Sequence, residues 1–329
     1  MLLTRYTAVA ALFLVPSVVV EFLTGNTTFA VFADPISLVM LFGSYGSGAV
    51  LARELTRRWQ KGFVSILILG AVYGMFNEGL QTGGFYDPHF YAVVSNGLEN
   101  YGRWGGVNVV WALEITVFHA VFSIAVPIII VDALFPSLVH RRLLGNISLL
   151  AFLILLVMIT LVQRVILTFR QPPVNAYAFI LVIGVTFLLT LAARAFPSFG
   201  AGATRRTPSD RILFVSALIA SIAWLFVIPR LLAYIHLPLV DILAIFFVLS
   251  LVSWYLLGFA HISIRNRVAM AAGAEGPLMM HAILSAIFVP AAITLALLIF
   301  AWRRSNGETG RRPVLAPSSC TGFPGGSDP

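Results

Sequence analysis

Long apolar runs broken by short polar gaps organise this chain, at residues 6–24, 34–52, 62–80, 107–131, 147–168, 175–195, 212–233, 238–260 and 277–302. Each is near the ~20 residues that a helix rising about 1.5 Å per residue needs to cross a bilayer core. A bilayer offers no water to an unpaired amide, so such runs form helices, whose backbone groups pair within the segment. The pattern predicts an all-α fold, a polytopic transmembrane helix bundle of about nine spans (eight to ten). Residues 1–302 are expected to form one transmembrane helical domain, and the Gly-, Pro- and Ser-rich residues 303–329 a disordered tail.

Composition agrees with pattern: 59% of residues are hydrophobic and 10% charged, with a mean hydropathy of +0.95, which leaves no polar stretch able to fold a soluble domain. The single cysteine, Cys320, excludes a disulfide framework and a cysteine-rich metal site, and no motif calls for a cofactor. The net charge of +8 resides in arginines at span ends, where it orients helices against an anionic leaflet rather than gripping nucleic acid. The expected partners are therefore the lipid bilayer and a small solute or ion, with no nucleic acid; oligomeric state is not read from these features. Val31, Phe32 and Ala33 would pass as a signal cleavage site, but they lie too far beyond the first apolar run.

Alternate gaps divide by charge. One set holds Arg5, Arg53, Arg57, Arg58, Lys61, Arg141, Arg142, Arg194, Arg205, Arg206, Arg211, Arg265 and Arg267; the other holds Arg103 and Arg170. This predicts a multi-pass protein of the cell membrane with a cytoplasmic N-terminus. Nine spans would strand Arg303, Arg304, Arg311 and Arg312 outside, so a second short helix or re-entrant segment is expected within 268–277, around Gly273, Gly276 and Pro277.

Glu21, Asp34, Glu78, Asn108, Glu114, Gln163, Arg164, Arg230 and Asp241 all fall in the outer half of the membrane or at its rim, although they come from different spans. Charged residues there should turn inward and pair, which places Arg164 and Arg230 opposite carboxylates around an outward-facing cavity. Gly70, Gly74 and Glu78 share one helical face, so the carboxylate is expected against a close-packed neighbour rather than lipid. Glu114 and His119 lie about 140° apart around their helix, so His119, which shares a face with Asn108, Trp111 and Ser123, should meet other helices. Pro16, Pro127, Pro229 and Pro290 interrupt spans and bend them.

His119 to Pro127 has an echo in His281 to Pro290, with Glu114 and Glu275 preceding, as an inverted repeat of a secondary transporter would have. The loop from Gln81 to Gly105 is aromatic and could lie as a lid over the polar region. Asp87 and His89 within it could join Glu78 or Glu99 around a metal, and His119 and His281 are further weak candidates, but no spacing fixes a coordination geometry.

Tyr45-Gly-Ser-Gly with Arg53-Glu54, Tyr73-Gly-Met-Phe-Asn-Glu78-Gly-Leu before Phe85-Tyr-Asp-Pro88, and Phe118-His119 before Ser123 and Pro127 resemble an uncharacterised prokaryotic family of multi-pass membrane proteins over about the first 140 residues. That resemblance implies no activity. The chain departs from the CAAX-type intramembrane proteases, since Asn77 precedes Glu78, Thr82 follows it by four, and Ile115 stands where that family has Phe. Three functions stay open, and no motif fixes a catalytic residue. One is a small-solute or ion permease using Glu78, Glu114 and His119, with Asn108, Arg164, Arg230, Asp34 and Asp241 as further contacts. Another is an intramembrane hydrolase or transferase in which Glu78 activates water beside His119 and His281. The third is a structural or assembly subunit.

Overall fold

The computed structural model describes residues 2–169, 174–197, 208–258 and 262–309. Helix α1 (Leu2–Ser17) continues through a π-helical segment, Val18–Phe22, and α2 (Pro35–Arg58) follows. Next, α3 (Phe63–Gly74) runs into a second π segment, Met75–Gln81. A long loop holding α4 (Tyr91–Ser95) and the two-residue strands β1 (Arg103–Trp104) and β2 (Val107–Asn108) leads to α5 (Val109–Phe118), which passes through a third π segment, His119–Ala125, into α6 (Val126–Leu134). Then come α7 (Asn146–Thr168), α8 (Ala176–Ala195), and α9 (Asp210–Ile222), which joins α10 (Ile228–Ile235) through a fourth π segment, Ala223–Val227. The last are α11 (Leu239–Gly258), α12 (Ile264–Leu284) and α13 (Phe288–Thr309).

Eight helical rods among the described residues are long and apolar enough to cross a membrane, and α11 adds a shorter apolar helix over Leu239–Leu249. The α5–α6 rod is central, with 78% of its apolar window buried, whereas the rods of α7, α8 and α9–α10 are 11–22% buried and present their apolar side chains outward, as lipid-facing helices do.

Side-chain contacts sort the helix ends. Arg5 donates to the carbonyls of Arg142 and Leu143, Arg58 to that of Leu144, and Lys61 to that of Phe196. Arg265 stacks over Trp302 at 4.8 Å and Arg267 over Phe63 at 5.3 Å. One end of the bundle therefore gathers the basic residues that the sequence divides from Arg103. Arg170, Arg205, Arg206, Arg311, Arg312 and Cys320 lie outside the described residues.

The expected span at 277–302 is overturned. Helix α12 is neither short nor re-entrant: it runs 21 residues from a capping box, in which Ser263 Oγ accepts from the Asn266 amide and Asn266 Oδ1 accepts from the Ser263 amide. It ends at Ser285, and Ala286 turns the chain at a φ of +61° before α13 begins. Hydropathy hides α12 because Arg265, Arg267 and Glu275 lower its average, although Glu275 is fully buried. Asp210 binds Arg265 at 2.6 Å at the start of both helices, and Ser221 Oγ donates to the Ala274 carbonyl further along, so α12 runs parallel to α9. The chain thus returns, and α13 carries Arg303 and Arg304 back to the basic end. The boundary at 302 moves with it, since α13 continues as helix to Thr309; the rest of the expected tail, 310–329, lies outside the described residues. The echo of His119 to Pro127 loses its basis, because His281 ends one helix and Pro290 begins another.

At the basic end, Arg53 is 1% exposed and binds Asp132 at 2.8 Å through Nε, while Nη2 donates to the Leu138 carbonyl. Arg57 takes the other Asp132 oxygen at 2.7 Å, and Glu54 accepts the amides of Leu143 and Leu144. This network ties α2 to α6 and to the loop after it. Removing one member leaves buried charge without its partner, so Arg53→Ala is expected to lower the unfolding free energy in detergent by about 3–5 kcal/mol. A loss below about 1 kcal/mol, the range of exposed pairs, would contradict that account.

Candidate functional site

Away from the basic end the bundle encloses a cavity of about 1210 Å³. Its rim includes Asn26, Thr28, Asp34 and Tyr91, all exposed, and its floor Ser44, Tyr45, Asn77 and His119, all buried. Tyr45 lies ten residues into α2, about 15 Å from its start, so the floor sits near mid-membrane. Beyond it Ala49, Val50, Leu69, Ile124 and Ile128 fill the core toward the basic end.

Glycine places the central pair. A Cβ on Gly70 would stand 2.7 Å from the Ala120 Cα, and one on Gly74 2.9 Å from the Thr116 Cα and 3.0 Å from the His119 Cβ. Only a bare backbone allows α3 to approach the α5 rod so closely. The approach brings Glu78 Oε1 to 3.5 Å from His119 Nε2, with Thr82 Oγ1 donating to Glu78 Oε2 at 3.0 Å. Behind the ring, His119 Nδ1 and Ser123 Oγ share a hydrogen bond of 2.8 Å. The rings of Tyr73 and Tyr45 pack on His119 at 5.5 and 5.9 Å.

Around this pair runs a polar belt. Tyr45 donates to Glu21, which also accepts from Thr27 at 2.9 Å. Ser44 donates to Gln81 at 2.9 Å, Asn77 Nδ2 donates to the Tyr73 hydroxyl at 3.2 Å, and Gln81 reaches Gln163 at 2.7 Å. All four π segments supply the lining: Glu21 from the first, Asn77, Glu78 and Gln81 from the second, His119 from the third and Trp224 from the fourth. A π turn inserts an extra residue and re-aims the side chains beyond it, a deformation concentrated at functional sites. Pro127 and Pro229 each follow a π segment by two residues. A proline withholds its N–H from the carbonyl four residues back, and the i→i+5 pairing of a π turn supplies the next donor along.

The structure brings Glu78, Glu114, His119 and Asp34 to the cavity, with Glu21 and Gln163 from the same outer group, and His281 at its edge. Four other candidates are not among its lining. Asn108 instead caps α5, accepting from the Trp111 amide at 3.0 Å and donating to the Leu98 carbonyl. Among the described residues Arg230 makes no direct ion pair but donates to the Phe226 carbonyl from an exposed position, and its charge reaches the Glu114 carboxylate at longer range. Asp241 is exposed in the first turn of α11, and Arg164 stands off the lining. Among the described residues no three His, Cys, Asp or Glu side chains assemble as a metal site, and Asp87 accepts the His89 amide at 2.8 Å.

Sequence reasoning missed Ser44, Tyr45, Asn77, Gln81 and Trp224. Asn77 and Gln81 flank Glu78 within an apolar run, and that interruption was the available signal. Phe85, Val93 and Leu98 of the loop after α3 cluster with Trp111 of α5 and Val182 of α8, and the loop lends Phe90, Tyr91, Ser95 and Asn96 to the cavity wall. At the rim, hydrogen bonds from Ser37 Oγ and the Ile36 amide hold the Asp34 carboxyl below the usual carboxylate range, so it carries a fixed negative charge at neutral pH.

The close approach at Gly70 yields a test. Gly70→Val drives a side chain into Ala120 backbone and should lower stability by about 1–3 kcal/mol, measured from unfolding midpoints in detergent. Gly184→Ala, where nothing lies within 4 Å, should leave the midpoint unchanged. Equal behaviour of the two variants would rule out the glycine contact as the determinant.

A family model described as an uncharacterized membrane protein family matches residues 11–309. No curated protein and no solved structure matches the chain.

Proposed function

The chain belongs to this uncharacterized membrane protein family, and because membership brings no activity with it, we propose from the site alone that the protein is a small-solute permease whose Glu78–His119 pair exchanges a proton for bound solute. The observation that carries this reading is the cavity itself, about 1210 Å³ reaching mid-membrane and lined by titratable side chains from several helices. Such groups are rare in lipid and mark solute or proton pathways when they face a bundle interior.

The positive-inside bias puts the basic end in the cytoplasm, with both the N-terminus and the end of α13 there, and opens the cavity to the opposite face. Glu78 and His119, 3.5 Å apart, bring a carboxylate and an imidazole to one point of the cavity, so a charged solute arriving beside them competes with a transferable proton. The π segments give the gate. Passing one residue through a π turn rotates the helix beyond it by about 100°, enough to carry a lining side chain out of the cavity.

In proteoliposomes with a trapped pH-sensitive dye, solutes drawn from a panel of amines, amino acids, sugars and carboxylates should move protons through the wild type. Glu78→Gln should cut that flux by about 100-fold, the lower end of what a positioned proton acceptor contributes. A silent panel, or full flux in Glu78→Gln, would remove the reading. Topology is tested through the single cysteine, Cys320. An impermeant maleimide should leave it unlabelled in intact cells and label it after permeabilisation; labelling in intact cells would reverse the orientation.

A further inference from the structure

We infer that the cavity binds an organic ammonium group, held by Glu114 within a box of aromatic rings. Trp111, Glu114 and Phe118 are spaced by three and four residues, so they form one stripe on α5, and all three line the cavity. Trp224 lines the same cavity from the fourth π segment and is tied to this stripe, its indole N–H donating to the Glu114 main-chain carbonyl at 3.2 Å. Glu114 Oε2 is buried without a hydrogen-bond partner among the described residues.

Charge selects the ligand's sign. Glu21, Asp34, Glu78 and Glu114 line the cavity, and among the described residues no lysine or arginine does. Arg230 acts on Glu114 only through space, since its guanidinium is engaged with the Phe226 carbonyl. An anion would meet carboxylates and the negative faces of the rings. A bare divalent ion needs six or more oxygen ligands, whereas among the described residues no three acidic or metal-ligating side chains assemble as a metal site, and Trp111, Phe118 and Trp224 line the cavity with Glu114. Their aromatic faces attract a diffuse cation clothed in alkyl groups, and the carboxylate neutralises it.

This assignment deepens the permease reading, on which it rests for why the group enters. Two sources carry the same chemistry, a free alkylammonium solute and the choline headgroup of a lipid. The test is choline binding to protein purified in maltoside, followed by tryptophan fluorescence or calorimetry, against its uncharged carbon isostere 3,3-dimethylbutan-1-ol. Choline should bind at least about tenfold tighter than the isostere, and Glu114→Gln should remove that preference at an unchanged unfolding midpoint. Trp224→Leu, which keeps the carboxylate and opens the box, should weaken choline and leave the isostere alike. In nanodiscs, competition by phosphatidylcholine but not phosphatidylglycerol assigns the site to a headgroup, and equal affinity in both assigns it to a free solute; either supports the ammonium site. Equal binding of choline and the isostere, or a Glu114→Gln protein that keeps the preference, overturns it. Flux of anionic or neutral solutes without choline binding would defeat this inference and spare the permease, whereas choline binding with no flux of any solute would do the reverse.

Discussion

The contact between the bare faces of Gly70 and Gly74 and the backbone of Thr116 and Ala120 sets the geometry on which the interior depends. Within a bilayer, burying apolar side chains between helices gains little over burying them in lipid, so helices associate through close packing and polar pairing. The glycine contact supplies the packing and, one turn further, delivers the polar pair. Glu78 and His119 meet at 3.5 Å because the helices that bear them have already closed. The central α5–α6 rod then serves as the post around which α1, α2, α3, α12 and α13 gather.

Polar side chains are handled differently at the two ends. Near the basic end the charges pair with one another: Arg53 and Arg57 hold the two Asp132 oxygens and Glu54 takes adjacent loop amides, although Arg57 Nε keeps no hydrogen-bond partner among the described residues, and the network is backed by packed core. Toward the other end the polar groups face an open volume, and Glu114 Oε2 keeps no hydrogen-bond partner there among the described residues. Paired charge fixes the relative position of helices; unmatched charge facing a cavity is available to a ligand. Glu275 belongs to neither class, since both of its oxygens are buried without partners among the described residues, and the cavity lining does not include it.

Much of the site was legible because depth along a helix follows from counting residues. Glu21, Asp34, Glu78, Glu114 and Gln163 were placed in one outer zone by that count, and they line one cavity. Counting says nothing about azimuth, however. Asn108, Arg230 and Asp241 share the same depth and turn elsewhere, to a helix cap, a carbonyl and solvent. The π segments shift azimuth again, and no residue pattern announces them except the prolines that follow two of the four.

From residue content alone came membrane immersion, helical structure, the segregation of arginines and the depth of the polar groups. These follow because transfer of a residue between water and hydrocarbon is a local free energy, summed along a window without knowledge of neighbours. Only the folded bundle decided that α12 is a separate helix beside α9, that Ala286 turns the chain between α12 and α13, and that Tyr45, Trp224 and Gln81 join the carboxylates. Those outcomes depend on how one helix surface fits another. A charged helix such as α12 is acceptable in the membrane when its polar groups meet Asp210, Trp302 and Phe63 rather than lipid, and such partners lie far apart in the sequence.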